Sequence, residues 1–388
     1  MDINWDEIRK EQFPAFKKAI HLKAAGGSPM CKAAYQEGVK YFQEMHEHGD
    51  LFWDKYFIDL EKTRRMIAEY LNSKPDEIAF LINTSSCMNA IARLLKKEKI
   101  IYPEGEFPSS IHIFKYLGFK CEKIKVQPNN SYDLQKIQNQ IKLDTKYIIH
   151  SHVQYLTGFK QDLVELGELS KRNNLINIIN ATQSFGAFPL NVKLQNIDIL
   201  VASALKWACC GYGIGIIYIN NQHIINEELP FSSWLSVKDA YLMNNENLKI
   251  IKKTKSMDGL GGTPNFPALL TLKGGLTLIK EIGNGSINVG VDKIKERITS
   301  LTSEFIANIQ ELEFEIITPL NIKNRSGIVT IKNDRAERIF NELLSNKVYI
   351  SLRNYPNSND KNLLRFGFNY YNNFDDINKV IHILKECV

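Results

Sequence analysis

Two apolar runs, residues 197–203 and 214–219, are joined by a segment that carries Lys206 and the series Gly211-x-Gly213-x-Gly215. Each run reads as a buried strand. The fold must therefore bring two core strands together through a glycine-rich turn, with Lys206 just past the end of the first. An ammonium buried without a partner is costly, so two readings stand. Lys206 snorkels to solvent at the strand end, or it is a desolvated amine of lowered pKa, able to condense with an aldehyde. Alternating glycines also occur in dinucleotide loops, but such a loop opens a helix, and here an apolar strand follows. No P-loop is present.

The surrounding pattern is α/β. Residues 78–83, 99–102, 147–153 and 176–179 read as strands, and 86–95 and 163–172 as helices. Their alternation predicts a mainly parallel central sheet flanked by helices, with ligands at the carboxyl ends of its strands. The pattern weakens at 265–272. Beyond it come a helix near 291–312, a strand at 326–331, a helix at 336–344, two short strands and a final helix from Asp375. That reads as a smaller α+β domain.

A chain of 388 residues exceeds one ordinary core. Its net charge of +6 comes with no dense Lys/Arg block, which argues against nucleic acid and suits an anionic small ligand. No apolar run reaches membrane-spanning length, and the first residues lack the regions of a signal peptide. The six cysteines show neither disulfide-framework nor CxxC spacing, so a reducing cytoplasm is expected. His150 and His152 share a strand face, but no third ligand is in sight and no metal is expected.

Several segments, taken in order, resemble class V aminotransferases. These are pyridoxal-phosphate (PLP) enzymes of fold type I, and include cysteine desulfurases, kynureninases and epimerase-like proteins. Ser203-x-x-Lys206-Trp207 with its glycines is similar to the segment whose lysine holds the cofactor as an imine. Asn83-Thr84-Ser85-Ser86 lies at a strand-to-helix turn, where free N–H groups and the helix dipole attract anions. Alone it reads as an ordinary N-cap; the resemblance implies Thr84 and Ser85 as phosphate ligands, with Ser203 as a third. Glu106-Phe107-Pro108-Ser109 is similar to the segment that stacks a ring on the cofactor, and implies Phe107; alone, Phe107 reads as core before a turn. Gln154 and Gln183 are implied near the phenolic oxygen. Gly261-Gly262-Thr263-Pro264-Asn265 resembles a loop whose Thr reaches the neighbouring subunit's phosphate, which implies a homodimer with shared sites. Arg365-Phe-Gly-Phe-Asn-Tyr-Tyr371 matches the C-terminal signature, whose Arg binds the substrate carboxylate as a planar fork. Arg353 is a second candidate. The implied organisation is an N-terminal segment (1–20) packing on the small domain, a PLP-binding domain (21–265) and a small C-terminal domain (266–388), acting on an amino acid.

Two positions depart from the family. Leu205 stands where a His often precedes the lysine. Asn180 stands where an Asp keeps the pyridine nitrogen protonated and the ring a strong electron sink; Asn carries no charge to do so. Residues 320–357 contain no Cys, so persulfide-forming desulfuration is not expected. Epimerase- or lyase-type chemistry is, with transamination or a non-catalytic scaffold as alternatives.

Overall fold

The computed structural model describes residues 3–224, 228–356 and 358–387. The chain opens with α1 (Trp5–Gln12), β1 (Ile20–His21), α2 (Lys32–His48) and α3 (Trp53–Leu71). The α/β run follows: β2 (Ile78–Leu81), α4 (Thr84–Leu94), β3 (Lys99–Pro103), α5 (Pro108–Tyr116), β4 (Lys120–Ile124), α6 (Leu134–Gln140), β5 (Thr145–Ser151), α7 (Leu163–Arg172), β6 (Ile176–Asn180), β7 (Ile199–Ser203) and β8 (Gly215–Ile219). The C-terminal part holds α8 (Phe266–Ile282), α9 (Ile287–Gln310), β9 (Glu315–Ile316), β10 (Ile328–Lys332), α10 (Ala336–Ser345), β11 (Val348–Tyr349), β12 (Ser351–Arg353), β13 (Leu363–Gly367) and α11 (Phe374–Cys387).

The large sheet runs β2-β8-β7-β6-β5-β3-β4. Only β8 opposes the other strands. Strands β2, β7 and β8 are buried on both faces, which is why they read as continuous apolar runs. Edge strand β4, Lys-Cys-Glu-Lys-Ile, is largely open to solvent and gave no such signal. A small antiparallel sheet, β12-β13-β10-β9, forms the second layer system.

The weakened pattern at 265–272 is the start of α8. Most residues of that helix are buried, so it is apolar all round and shows no helical stripe. It packs on α2 and α3 and joins the core of the large sheet. Helix α9 spans both cores: Ile287 to Ile298 belong to the first, and Leu301 to Ile309 to the second. A division of the chain by cores therefore passes through α9, beyond residue 265. At the N-terminus, Arg9 pairs with Asp376 at 2.6 Å, and Phe13 packs on Tyr370 and Tyr371.

Candidate active site

The neighbouring strands β7, β6, β5 and β3 end side by side. Their carboxyl ends carry Ser203, Asn180 and Ser151, with Glu106 just beyond β3. Lys206 follows Ser203 directly. These ends and the start of α4 wall a cavity of about 270 Å³, near the lower end of ordinary small-ligand pockets, roughly 300 Å³. Thr84, Ser85, Phe107, Asn180, Gln183, Ser203 and Lys206 all line it.

The glycines explain the shape. Gly211 and Gly213 adopt φ of +79° and +101°, which L side chains rarely tolerate. A Cβ on Gly215 would lie 2.5 Å from the Asn83 carbonyl carbon, so only glycine lets β8 pass beside the turn into α4. That turn is built by Asn83, which accepts from the Ser86 N–H at 2.9 Å, while Ser86 Oγ accepts from the Asn83 N–H at 3.1 Å. Thr84 and Ser85 thus occupy the first turn, where backbone N–H groups have no partner within the helix and favour an anion. Thr84 Oγ1 also lies 3.0 Å from Thr182 Oγ1.

Lys206 has its amine lowered to about 7, first by burial and then by the charges of Arg365 and Arg353. Its Nζ lies 5.9 Å from the Phe107 ring centroid. Phe107 meets Tyr155 edge-on at 5.2 Å, so the two rings form one wall. Arg365, on β13, is buried and its guanidinium is lowered to about 9, by burial and then by Arg353. Its Nη1 donates to the Tyr155 carbonyl at 2.6 Å and its Nη2 to Ser351 Oγ at 3.4 Å, while its Nε is buried without a partner. Arg353 is partly buried on the adjoining strand.

Other expected residues stand apart. Gln154 is buried, with its Nε2 3.5 Å from Glu106 and its Oε1 unpartnered, and it lines a neighbouring cavity instead. Gln183 is at the wall, but Nε2 donates to the Ala25 carbonyl and Oε1 accepts from the Trp207 indole. Thr263 is exposed and is not part of the cavity wall. His150 and His152 are buried, and burial lowers both imidazoles; among the described residues no His/Cys/Asp/Glu group could hold a metal ion. Sequence reasoning missed Tyr155, Thr182, Tyr212 and Glu106. Tyr155 follows Gln154 directly, and Thr182 sits inside Asn-x-Thr. Glu106 lies in the segment that points to Phe107, and nothing in its spacing marks a buried carboxyl.

A buried amine of lowered pKa, a helix start able to hold a phosphate, and a guanidinium with a free buried donor fit PLP and an amino-acid carboxylate. With this fold they define a fold type I PLP-dependent enzyme. The chain belongs to the aminotransferase class-V family, which matches residues 20–380. A probable cysteine desulfurase from Pyrococcus abyssi is 25% identical, covering 99% of this chain and 97% of its own. The apo structure of a cysteine desulfurase from Thermococcus onnurineus superimposes with a TM-score of 0.88 at 22% identity, covering 100% and 98% of the two chains. The C-DES protein, solved as a mutant with glycine covalently linked to its PLP cofactor, gives 0.86 at 17% identity, covering 97% and 98%. With desulfurases among these relatives, the missing cysteine in 320–357 is no ground for excluding desulfuration. Among the described residues no helix is long and apolar enough to cross a membrane.

Proposed function

We propose that this chain eliminates a β-substituent from an amino acid, with Lys206 as the base. The observation that carries the reading is the Lys206 amine, lowered to about 7 beside Arg365 and Arg353. When bound, PLP supplies an aldehyde that joins an amino group and draws electrons from the α-carbon. Lys206 would hold PLP through that aldehyde, and its neutral Nζ is fit to take the α-proton. Arg365 offers its unpartnered Nε–H to the substrate carboxylate and so fixes the α-carbon beside Lys206. The first turn of α4, with Thr84, Ser85 and Ser203, anchors the phosphate. Phe107, 43% exposed, and Tyr155 give one side of the cavity an aromatic wall. The electron pair of the broken Cα–H bond forms a Cα=Cβ bond as the substituent leaves Cβ with the electrons of its own bond. Asn180, uncharged, does not favour a protonated ring, which weighs against transamination and toward elimination of a good leaving group.

A second reading, desulfuration of cysteine, is favoured by the desulfurase relatives, and C-DES is described as a cystine C–S lyase with cysteine persulfide as its product. None of the six cysteines lines the cavity. Burial raises the Cys31 and Cys121 thiols to about 11 and the other four upward as well. Sulfur would then pass to a thiol on another molecule.

We also propose a homodimer that brings Thr263 to the partner's phosphate site. Support comes from α2, where Tyr35, Val39 and Phe42 are exposed at helical spacing, an apolar stripe suited to an interface.

The test is reconstitution with PLP, borohydride reduction and peptide mapping, followed by an amino-acid screen read by mass spectrometry. The label should fall on the Lys206 peptide, and a β-substituted amino acid should lose its substituent. Native protein that takes up no PLP, or carries it on another lysine, refutes the reading.

A further inference from the structure

Glu106 is a carboxyl that the reading above leaves unused. It is 9% exposed, and the hydrogen bonds it receives come from neutral groups. The Phe107 N–H donates to Oε1 and the Ser151 N–H to Oε2, each at 2.8 Å. Both oxygens are therefore fixed acceptors. Ser151 Oγ donates to Oε1 as well. Ser110 Oγ donates to Oε1 at 3.2 Å, which commits its only hydrogen. Toward its other neighbour Ser110 can then only accept, and that neighbour is Asn180, whose Nδ2 donates to it at 2.8 Å.

The far end of Asn180 is fixed as well. Its Oδ1 accepts from the Thr182 N–H at 3.0 Å. Turning the amide over would set its N–H groups against the Thr182 N–H and its oxygen against a Ser110 lone pair. One orientation is thus enforced from both sides. In it, Oδ1 is tied to the backbone, and Nδ2 keeps one hydrogen beyond the one given to Ser110. Asn180 and Thr182 both line the Lys206 cavity. Burial pushes the Glu106 carboxyl up, against its hydrogen bonds.

We infer that Glu106, acting through Ser110, positions Asn180 as a hydrogen-bond donor to the cofactor's ring nitrogen, and so keeps that nitrogen unprotonated. A ring nitrogen that accepts a hydrogen bond through its lone pair cannot also hold a proton there. Asn180 is thus a donor built to a purpose, and Glu106 and Ser110 are its positioning residues. The inference rests on the PLP reading of the cavity.

The experiment is solid-state 15N NMR of the full-length holoenzyme, loaded with PLP labelled at the ring nitrogen. The wild-type signal should lie in the unprotonated pyridine range, and Asn180→Asp should move it to the pyridinium range. Ser110→Ala should displace it from the wild-type position, because Nδ2 of Asn180 loses the acceptor that aims its second hydrogen and the amide is then held at Oδ1 alone. Ser110→Thr keeps the hydroxyl and should keep the wild-type signal. A wild-type signal in the pyridinium range overturns the inference, as does an unmoved signal in Ser110→Ala at full PLP occupancy. Wild-type protein that binds no PLP overturns the cofactor reading along with it.

Discussion

If Lys206 captures PLP as proposed, its neutral fraction should set how fast the apoprotein does so. Burial, then Arg365 and Arg353, lower its amine from an ordinary 10.5 to about 7. At pH 7 about half the molecules then hold it neutral, whereas an amine titrating at 10.5 would be neutral in about one molecule in 3,000. Covalent capture, followed by absorbance and checked by the mass of the Lys206 peptide, should quicken about tenfold per pH unit below the midpoint. It should level off once the pH passes about 8. Arg353→Gln removes one of the charges that disfavour the ammonium, so its midpoint moves up and capture at pH 6 slows, while the plateau stays. The PLP phosphate itself titrates near about 6, so pyridoxal, which lacks it, is run in parallel and should show the same midpoint. A wild-type midpoint above 9 with both aldehydes would refute the argument, as would a downward shift in Arg353→Gln.

Arg365→Lys keeps the charge and loses the fork; amino-acid binding, measured by titration of the holoenzyme, should weaken by about 2 kcal/mol, roughly 30-fold, with PLP affinity unchanged. Glu106→Gln places an amide N–H₂ against the backbone N–H of either Phe107 or Ser151; denaturant unfolding should show a loss of about 1–3 kcal/mol. Arg64 is buried and is paired by Asp258, which also accepts from the Phe80 N–H at 2.8 Å. Asp258→Ala leaves Nη2 of Arg64 and the Phe80 N–H without an acceptor, although Nε keeps Glu61 and Nη1 keeps the Ile78 carbonyl; it should cost about 3 kcal/mol by the same assay, whereas a loss under 1 would show the pair to be replaceable. Sedimentation of the holoenzyme should give a dimer, and a PLP-saturated monomer with full turnover would defeat the proposed shared site.

What the sequence disclosed depended on where each signal lay. Strands β2, β7 and β8 are buried on both faces, so their burial is written as apolar runs. Strand β4 is an exposed edge and helix α8 is apolar all round; neither has the periodicity that marks an amphipathic element. Lys206 and Gly215 were legible because strand, turn and strand fall within one stretch of chain. Glu106, Ser110, Ser151 and Asn180 meet for a different reason: β3, β5 and β6 are neighbours in the sheet, and their carboxyl ends lie in a row. Chain order would set β4 next to β3 and says nothing of β5 on the other side. The Asn at 180 could be seen as a missing charge. That Asn180 is held by a carboxyl some seventy residues earlier could not, because spacing along the chain carries contacts within a segment, and sheet order carries contacts between strand ends.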